Sequence, residues 1–435
     1  MNYTGQHVLV LGLGRSGVAA VELLLRHGAR VSAYDREPMR LEALGPEVAR
    51  LSGQAPPPFD PFDLVVASPG FPTPPHPKLV PEIDLAAPYL RAPLIGVTGT
   101  NGKSTTVVLI GEMLRHSGLT VPVGGNLRDP LCSLIDEPAD RLVAELSSFQ
   151  LEHARALRVH VGLLLNLAPD HLERHGTLEA YGAAKAKLAT LQTSDDTLVV
   201  NLDDAWARGV GEGAVAQTLG FSERGKLADG ASLDGKDLVL CKDGRELLRL
   251  ASDTLTPACR IPVTNTLAAL LVAHAAGAKP EAMRAVCESF EGLPHRAQLV
   301  CTRARVRYVD DSKATNPAAA ATSLATQPSP TLWIAGGRNK GLDFGPLARA
   351  VANVRAAIFY GEAAPELAAA LDRVTPIEQV GPLAEAVALA AERALPGDTV
   401  LLAPACSSFD QFGSFEERGQ RFAALARALP DEVAC

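Results

Sequence analysis

Residues 96–104 read GVTGTNGKS, after the apolar segment PLI and before the helix-like segment TTVVLIGEML. A strand, a glycine-rich turn and a helix that opens on Lys-Ser are the usual context of a triphosphate-binding loop. The usual pattern requires glycine where this chain has Val97, and the glycines here stand at positions 96, 99 and 102. This stretch predicts a parallel α/β domain that binds a nucleoside triphosphate through an irregular version of the loop.

Length and composition restrict the class of protein. A chain of 435 residues exceeds one hydrophobic core and predicts two to four domains. The formal charge of −8 provides no basic stripe, which argues against a nucleic-acid partner. Seven cysteines without a C-x-x-C pair, and the lack of a long apolar run, predict a cytoplasmic protein with reduced thiols and no membrane insertion.

Strand-like and helix-like segments alternate along the whole chain. HVLVLG at 7–12 and RVSAYD at 30–35 begin the first series, and a β-hairpin is expected at Asp243-Gly244. Such alternation predicts parallel sheets with right-handed crossovers. We expect an α/β protein with three domains: a Rossmann-like domain at 1–92, a central P-loop ATPase-type domain with a mostly parallel sheet at 93–292, and a C-terminal Rossmann-like α/β domain at 293–435.

A second glycine pattern lies near the start of the chain. Gly12, Gly14 and Gly17 match G-x-G-x-x-G between a predicted strand and helix, and Asp35 ends the next strand. The pattern favours a phosphate at a helix N-terminus, although a tight turn without ligand is the alternative. A complete dinucleotide domain needs roughly 150 residues. Gly96 follows Gly12 by only 84 residues, so we expect one nucleotide diphosphate, such as the UDP of a nucleotide sugar.

Acidic and imidazole side chains follow the strands of the central domain. Glu145 ends the apolar segment RLVAE, and Asp170 and His171 follow the next one. The backbone amides of residues 99–104 would hold the β-phosphate, with Lys103 between the β- and γ-phosphates. We expect magnesium ligands among Ser104, Glu145 and His171. The alternatives are an accidental Gly-Lys-Ser turn and a histidine on the surface.

Longer stretches of the chain resemble the Mur ligases of peptidoglycan synthesis. These stretches are TGTNGKST, ELSSFQLE, DHLERHGTLEAYGAAKAKL, GLPHR and DDSKATNP, in this order. The closing LLAPACSSFDQFGSFEERG and the opening glycine pattern are most similar to the members that add D-glutamate. The resemblance spans residues 8–421. It implies that the first domain binds the UDP of the acceptor, the central domain binds ATP, and the last domain binds the amino acid.

The resemblance also implies a role for individual residues. The acceptor site would contain Gly14, Arg15, Ser16, Gly17, Asp35, Arg36, Ser68, Pro69, Gly70, Asn126 and Ser147. The ATP site would contain Gly99, Thr100, Asn101, Gly102, Lys103, Ser104, Thr105, Asn265, Arg296 and Asp311. The D-glutamate pocket would contain Lys313, Ser408, Phe409 and Phe415. Two magnesium ions would be held by Ser104, Glu145, His171 and Lys185, and the catalytic residues would be Lys103, Lys185, His171, Asn126 and Arg296.

Two features of the sequence qualify this implied site. Lys185 matches a lysine that is carbamylated by CO₂ in the family. The alternative is a solvated lysine on a helix, and Lys187 lies two residues away. The family commonly has a His-Asn pair near the adenine, where this chain has Ile261 and Pro262. We therefore expect weaker adenine contact at that point and looser nucleotide selectivity.

The resemblance implies a two-step reaction. ATP phosphorylates the L-alanyl carboxylate of UDP-N-acetylmuramoyl-L-alanine, and the amine of D-glutamate then displaces phosphate from the acyl phosphate. An acyl phosphate hydrolyses readily, so we expect domain rotation at joints near residues 92 and 292 that excludes water. We also expect a monomer, with these two substrates as its partners.

Three alternatives remain open at this point. Within the same class, the chain could be another Mur-type or a folylpolyglutamate-type amide ligase. In a different class, it could be a nucleotide-dependent oxidoreductase that uses Gly12–Gly17 for nicotinamide and carries a P-loop switch. The third alternative is a nucleotide-binding scaffold without catalysis. Phosphate release that depends on both substrates distinguishes a ligase from the other two.

Overall fold

The first sheet is entirely parallel. The structure is a computed structural model that describes residues 3–127, 129–260, 262–327, 330–372 and 374–430. The strands of the first sheet follow the order β3-β2-β1-β4-β5, which is the start of a doubly wound fold. Its strands are β1 (His7–Leu11), β2 (Arg30–Tyr34), β3 (Ala49–Leu51), β4 (Leu64–Ala67) and β5 (Leu79–Pro81), and its helices are α1 (Arg15–Arg26), α2 (Pro38–Glu42) and α3 (Glu82–Ala86).

The proline-rich segment at 69–81 is not a loop throughout, because its last three residues are a strand. They form β5 beside β4, with Leu79 opposite Val65 and Pro81 opposite Ala67. A proline is tolerated there because β5 is the edge strand of the sheet, where one side of the backbone needs no ladder partner.

The second sheet has the order β14-β13-β12-β11-β10-β9-β6-β8-β7. Its strands are β6 (Leu94–Thr98), β7 (Val123–Gly125), β8 (Leu142–Glu145), β9 (Val161–Leu164), β10 (Thr197–Asn201), β11 (Gln217–Ser222), β12 (Gly230–Asp234), β13 (Asp237–Lys242) and β14 (Arg245–Leu250). The helices of this part of the chain are α4 (Lys103–His116), α5 (Ser148–Leu151), α6 (Leu172–His175), α7 (Leu178–Thr190), α8 (Ala205–Glu212), α9 (Pro257–Arg260), α10 (Val263–Ala275) and α11 (Pro280–Ser289).

Most of the second sheet is parallel, as the alternating pattern predicted. The exceptions are the antiparallel pairs β12–β13 and β13–β14 at one edge. The expected hairpin at Asp243-Gly244 is confirmed. Both turn residues have positive φ, 52° and 72°, which matches the right-handed twist of the two strands.

The third sheet has the order β15-β16-β20-β17-β18-β19 and is parallel except for the β15–β16 pair. Its strands are β15 (Gln298–Arg303), β16 (Val306–Asp310), β17 (Thr331–Gly336), β18 (Val354–Tyr360), β19 (Ile377–Val380) and β20 (Thr399–Ala405). Its helices are α12 (Pro317–Ala325), α13 (Ala364–Ala370), α14 (Leu383–Arg393) and α15 (Phe415–Ala428). Strands β17 and β20 are buried over their whole length, as expected for the interior of a parallel sheet.

The chain divides into two compact units. Unit 1 contains residues 1–167, 179–256 and 263–290, and therefore the first two sheets. Unit 2 contains residues 168–178, 257–262 and 291–435, and therefore the third sheet. The expected joint near residue 92 lies inside unit 1. In the described residues, no helix is long and apolar enough to cross a membrane.

Buried carboxylates tie the first sheet to the second inside unit 1. Glu82 in α3 accepts a hydrogen bond from the backbone N–H of Cys132 at 2.6 Å. Asp84 in the same helix accepts from the N–H groups of Arg155 and Leu157 at 2.6 and 3.0 Å. One apolar cluster also contains residues from both sheets. Because these groups are out of water, separating the two modules would leave several polar groups unpaired.

Candidate functional site

A phosphate loop, residues 99–104, connects β6 to the N-terminus of α4. Gly99 and Gly102 have φ of +152° and +86°, values that side chains with a Cβ rarely adopt. A Cβ on Gly99 would lie 2.8 Å from Cβ of Leu165, and one on Gly102 would lie 2.2 Å from Oδ1 of Asn265. The loop therefore needs glycine at both positions. It presents the first N–H groups of a 14-residue helix, which favour an anion.

Asn166 holds this loop in place. Its carbonyl oxygen accepts from the N–H of Thr100, and its Oδ1 accepts from the N–H of Asn101, both at 2.9 Å. Its Nδ2 donates to the carbonyl of Asn101 at 3.1 Å. The sequence analysis did not single out Asn166. The signal was available, because Asn166 follows a buried apolar strand just as Glu145 ends another.

Two lysine side chains point at the backbone of the phosphate loop. Lys103 Nζ donates to the carbonyl oxygens of Gly99 and Thr100, both at 2.9 Å. Lys185 Nζ donates to the carbonyl of Gly99 at 2.7 Å and lies 4.4 Å from the ring centroid of Tyr181. Lys185 is 1% exposed, so the alternative of a solvated helix lysine is wrong. Burial of an ammonium group is costly, so the fold must provide compensating contacts for Lys185.

A carboxylate lies against the first turn of α4. The hydroxyl of Ser104 donates to Oε2 of Glu145 at 2.5 Å, and Nδ2 of Asn126 donates to Oε1 at 2.7 Å. The backbone N–H of Asn126 donates to the carbonyl of Glu145 at 2.8 Å. Ser104 and Glu145 are both buried, as is Thr105, the next residue of the helix. Unit 1 thus brings two predicted magnesium ligands, Ser104 and Glu145, into contact with the predicted acceptor residue Asn126.

The chemistry of this pair fits a magnesium ion. A hydroxyl oxygen and a carboxylate oxygen are hard ligands, and Mg²⁺ in proteins is commonly held by few protein oxygens together with substrate phosphates. No group of three or more His, Cys, Asp or Glu side chains suited to a metal occurs in the described residues. An ion at Ser104 and Glu145 would therefore depend on ligands from bound phosphate and water.

Ser147, which the resemblance assigns to the acceptor, has a structural role in unit 1. It is the N-cap of α5 and forms a capping box with Gln150. The N–H and the hydroxyl of Ser147 both lie 2.9 Å from Oε1 of Gln150. The box fixes the turn that directly follows Glu145 and so holds the end of β8.

Asn265 lies in α10 and is buried against Gly102. Its neighbour Thr264 hydrogen bonds through its hydroxyl to the carboxylate of Glu223. Ile261, at the point of the expected weak adenine contact, lies outside the described residues. Thr264 borders an open cleft of about 460 Å³ whose lining is polar, with three acidic residues among six: Asn201, Asp203, Asp204, Glu223, Arg224 and Thr264.

The first sheet carries a second glycine-lined turn, between β1 and α1. A Cβ on Gly17 would lie 1.9 Å from the carbonyl oxygen of Gly12, so only glycine allows this close packing of helix on turn. Gly14 is the N-cap of α1 and has no side chain to occupy the helix N-terminus. Arg15 and Ser16 begin the helix, with Arg15 exposed.

Asp35 at the end of β2 serves the backbone of this turn. Its Oδ2 accepts from the N–H of Leu13 at 2.7 Å and its Oδ1 from the N–H of Glu37 at 2.9 Å, and the residue is 5% exposed. Part of its hydrogen-bonding capacity is therefore already used within the protein. The sequence analysis placed Asp35 in the acceptor site without this role, because the partner N–H groups are not visible in the sequence.

Arg36 and residues 68–71, which follow β4, lie beside this turn. The guanidinium of Arg36 lies 5.8 Å from the ring centroid of Phe71. Ser68 approaches Gly12, where an added Cβ would meet Ser68 Cβ at 3.2 Å. Pro69 and Gly70 follow it, and Gly70 is exposed. These contacts bring the predicted acceptor residues of the first sheet to one edge, at the carboxyl ends of β1, β2 and β4.

In unit 2, an ammonium group is stacked on an aromatic ring. Lys313 Nζ lies 3.9 Å from the ring centroid of Phe415, the first residue of α15. Ser408 is buried, and its carbonyl accepts from the N–H of Phe412 at 2.9 Å. Phe409 is 63% exposed, which is unusual for a large apolar side chain. All four predicted pocket residues thus belong to unit 2.

Arg296 and Asp311 lie near the start of unit 2. Desolvation raises the pKa of the Asp311 carboxyl to about 6, while the Ser323 hydroxyl and the Arg296 charge act in the opposite direction. His295, which the sequence analysis did not single out, has φ of 60° and pairs through Nδ1 with Oδ2 of the fully buried Asp310 at 2.6 Å. This pair fixes the backbone that carries Arg296.

His171 lies in unit 2 beside Asp170. Its φ is 53°, and its side chain is 34% exposed. Asp170 is buried and receives hydrogen bonds from Asn316 Nδ2 at 3.0 Å and Lys340 Nζ at 3.2 Å. Burial acts to raise the pKa of Asp170, but the charges of Lys340 and His171 and these hydrogen bonds lower it. Lys340 was not identified from the sequence, because nothing near GGRNKG matches a local catalytic pattern.

Comparison with known protein families finds matches along most of the chain. Residues 6–86 match the Mur ligase MurD-like N-terminal domain, residues 97–273 match the Mur ligase middle domain, and residues 295–406 match the Mur ligase glutamate ligase domain.

Full-length relatives share more than a third of the residues. UDP-N-acetylmuramoylalanine–D-glutamate ligase of Pelotomaculum thermopropionicum is 38% identical over 98% of this chain and 99% of the relative. The proteins of the same name from Trichlorobacter lovleyi and Myxococcus xanthus are each 40% identical, over 97% and 98% of this chain and 98% and 99% of the relatives.

Solved structures of lower identity share the fold. A pseudomurein peptide ligase type C from Methanothermus fervidus has a TM-score of 0.64 at 18% identity, covering 97% of this chain and 99% of the other. A MurF ligase from Thermotoga maritima, solved in complex with ADP, has a TM-score of 0.61 at 18% identity and covers 98% and 96%.

Proposed function

This chain belongs to the Mur ligase family, and we infer that it joins D-glutamate to the L-alanyl carboxylate of UDP-N-acetylmuramoyl-L-alanine, with conversion of ATP to ADP and phosphate. Full-length relatives that carry the name of this ligase, at 38–40% identity, support the assignment. The match of the last domain to a glutamate ligase domain supports the choice of amino acid.

The proposed function rests on two helices in unit 1 whose N-cap residue is a glycine, which we call glycine-opened helices. Helix α1 begins behind Gly14 on the first sheet, and helix α4 begins behind Gly102 on the second. Each leaves its N-terminal N–H groups without a side-chain cap, and the helix dipole favours an anion there. One helix suits the diphosphate of a sugar nucleotide and the other suits a triphosphate, which is what this ligation requires.

The reaction needs activation because a carboxylate resists attack by an amine. A carboxylate oxygen of the acceptor attacks the γ-phosphorus of ATP, the bond from this phosphorus to the β-γ bridging oxygen breaks, and ADP leaves. The amine of D-glutamate then attacks the acyl carbon, the carbon–oxygen bond to phosphate breaks, and the amine loses a proton. Positioning and charge neutralisation provide most of the catalysis in such transfers.

Residues of unit 1 are assigned here to the nucleotide and to the reacting carboxylate. The N–H groups of the phosphate loop would bind the β-phosphate, and Lys103 would exchange its contacts with Gly99 and Thr100 for phosphate oxygens. Asn265, packed on Gly102, would contact the nucleotide. Asn126 would orient the acceptor carboxylate from its position beside Glu145. The contacts support these roles because these groups lie at the carboxyl ends of the strands of the second sheet.

In unit 1, Ser104 and Glu145 would hold magnesium. His171, in unit 2, stays a predicted magnesium ligand. The ion supplies charge neutralisation for the transferred phosphoryl group. We further propose that Lys185 is carbamylated. The modification turns a buried cation into a carboxylate, and its nitrogen keeps one N–H that can still donate to the carbonyl of Gly99. The burial of Lys185 and its hydrogen bond to that carbonyl support this role.

Residues of unit 2 are assigned to D-glutamate and to the transferred phosphate. Lys313, Ser408, Phe409 and Phe415 would form the amino-acid pocket, in which the stacked ammonium of Lys313 matches a dicarboxylate. Arg296 and Asp311 would contact the nucleotide. A cytoplasmic location, a monomeric state and the domain limits at residues 92 and 292 remain predictions.

Phosphate release tests the proposed function directly. The purified chain, ATP and Mg²⁺ should release phosphate only when both UDP-N-acetylmuramoyl-L-alanine and D-glutamate are present. UDP-N-acetylmuramate, which lacks the alanyl carboxylate, and L-glutamate are the matched controls and should give the background rate. Mass measurement should find the amide product in the complete mixture alone. Phosphate release at the same rate with and without D-glutamate, or NADH oxidation with any of these compounds, would contradict the assignment.

A further inference from the structure

Arg418 is a fully buried arginine in the first turn of α15, in unit 2. Its Nε donates to Oγ of Ser312 and its Nη2 to the carbonyl of Ser312, both at 2.9 Å. Nη1 and Nη2 each donate to the carbonyl of Cys406 at 3.2 Å, and Nη1 also reaches the carbonyl of Gly336 at 3.4 Å. These acceptors are neutral oxygens. Arg418 therefore acts here through the number and directions of its N–H donors and not through a charge pair.

The acceptors of Arg418 end three neighbouring strands. Ser312 follows β16, Gly336 ends β17 and Cys406 follows β20, and these strands are adjacent in the order β16-β20-β17. Three loops leave from these points, at 311–316, 337–342 and 406–412. In open α/β sheets, ligands bind at the carboxyl ends of the strands, where such loops lie. One side chain therefore holds the base of three loops at this end of the sheet.

A second set of contacts links Arg418 to the stacked lysine. Ser312 Oγ, which accepts from Arg418 Nε, donates in turn to the carbonyl of Phe415 at 2.8 Å. Lys313 Nζ lies 3.9 Å from the centroid of the Phe415 ring. A rotation of the Ser312 backbone would therefore move Lys313, and a shift at the start of α15 would move the ring beneath it.

The loops at 337–342 and 406–412 are joined at the same place. Arg338 and Ser407 exchange two backbone hydrogen bonds of 3.0 Å. Gly337, between them and Arg418, has φ of +125°, and a Cβ there would lie 2.0 Å from the carbonyl of Ser407 and 3.1 Å from Nη1 of Arg418. The packing leaves no room for a side chain, so the guanidinium and the two loops form one tightly packed layer.

We propose that Arg418 is a positioning residue for amino-acid binding, which fixes the Lys313–Phe415 pair and the loops that carry Ser408 and Lys340. The inference rests on the proposed function for the identity of the amino acid. Burying a guanidinium without a paired carboxylate is costly, and an apolar side chain would fill the space at lower cost. A planar group with five donors can hold the ends of three strands at once, whereas the three donors of lysine radiate from a single point.

The test compares Arg418→Lys with Ser312→Ala and with the control Arg421→Lys, which changes an exposed arginine of the same helix. Arg418→Lys keeps the charge and loses the fan of donors. We expect its KM for D-glutamate to rise about tenfold, which corresponds to about 1.4 kcal/mol of lost binding, while the KM values for ATP and the acceptor stay within about twofold. Ser312→Ala, which removes only the bridging hydroxyl, should give a smaller rise of the same kind, and Arg421→Lys should match the wild type.

Hydrogen exchange provides a readout that does not depend on activity. In Arg418→Lys, amides at 311–316, 337–342 and 406–412 should exchange faster than in the wild type, while those of β17 and β18 keep their protection. Unchanged KM and exchange in both variants would overturn the inference. A fall in kcat with all KM values unchanged, together with faster exchange throughout unit 2, would show a general structural role and overturn it as well. If the wild type lacks D-glutamate-dependent phosphate release, the proposed function fails, and the exchange measurement alone decides whether Arg418 fixes these loops.

Discussion

Ser104 and Glu145, 41 residues apart in sequence, share a hydrogen bond of 2.5 Å between the serine hydroxyl and Oε2 of the carboxylate. The other carboxylate oxygen accepts from Asn126. Both oxygens of Glu145 are therefore oriented by unit 1 itself. A carboxylate held in this way can exchange one hydrogen bond for a metal ion with little rearrangement, because its geometry is already fixed.

Glu145→Gln should reduce the ligase rate by about 100-fold or more, since a preorganised charged group at a reacting phosphate is commonly worth that much. The amide keeps a similar shape and still offers one oxygen acceptor, so thermal unfolding should change little. The concentration of Mg²⁺ needed for half-maximal activity should rise. Glu212→Gln, on the exposed end of α8, is the control. A magnesium titration identical to that of the wild type would remove Glu145 from the metal site.

Lys185→Arg should abolish any dependence of the ligase rate on CO₂. Arginine keeps a positive charge and can still donate to Gly99, but it cannot form the carbamate. We expect the wild type to lose activity in CO₂-depleted buffer and to regain it on addition of bicarbonate, whereas the variant stays at a low rate in both. Lys187→Arg is the control, because Lys187 bonds to the carbonyl of Glu152 away from the loop. Carbamylation is ruled out if the wild-type rate is independent of bicarbonate.

Gly102→Ala should weaken nucleotide binding more than it weakens the fold. The positive φ of residue 102 costs a side chain about 1–2 kcal/mol, and the added Cβ would displace Asn265, whose Oδ1 would lie 2.2 Å away. Gly118→Ala is a matched control at the other end of α4, where φ is +93° and nothing lies within 4 Å of the added Cβ. Both variants should lose similar stability in urea unfolding. Only Gly102→Ala should lose ATP affinity by calorimetry, and equal losses of affinity would contradict this reading of the loop.

Glu82 should make the stability of the protein depend on pH between about 4.5 and 7. Burial raises the pKa of its carboxyl from 4.5 to about 7, against the hydrogen bonds from Cys132. Within the described residues, Oε2 of Glu82 has no hydrogen-bond partner. A raised pKa means that the folded state prefers the protonated form. The contribution to stability is therefore complete below pH 4.5 and is lost as the pH rises through 7.

Urea unfolding at pH 5 and pH 8 measures this effect. A pKa raised from 4.5 to about 7 corresponds to about 3 kcal/mol of stability, of which about 2–3 kcal/mol is lost between these two pH values. The side chain in Glu82→Gln stays neutral at both pH values. Between pH 5 and pH 8, the free energy of unfolding of this variant should therefore fall about 2–3 kcal/mol less than that of the wild type. The exposed Glu137→Gln should follow the wild type. Parallel pH profiles for Glu82→Gln and the wild type would show that the carboxyl is not held in its neutral form.

Local sequence determined most of the elements of this fold. Apolar runs such as those at 7–12 and 30–35 predicted buried strands of parallel sheets, and the Asp243-Gly244 turn predicted a hairpin. The glycine patterns at 12–17 and 99–104 placed two anion-binding turns between a strand and a helix. These features depend on φ, on the size of one side chain and on periodicity over a few residues, so they can be recognised without a fold.

The partners of buried polar groups could not be predicted in this way. The sequence alone could not show that Asp35 accepts from Leu13, that Asn166 holds the phosphate loop, or that Lys185 is buried against Gly99. Edge strands such as β5 were also missed, because three residues carry too little periodicity.

The sequence by itself determined the order of strands and helices and the positions of the two glycine-opened turns, because both follow from interactions between neighbouring residues. Only the tertiary structure decided which strand ends became neighbours, and therefore that Glu145 reaches Ser104 and that Arg418 reaches Ser312, 106 residues away. The physical reason is that a buried charge or amide takes its partner from whatever backbone the packed sheets bring within about 3 Å. That distance is set by the packing of whole elements and is absent from any short window of the chain.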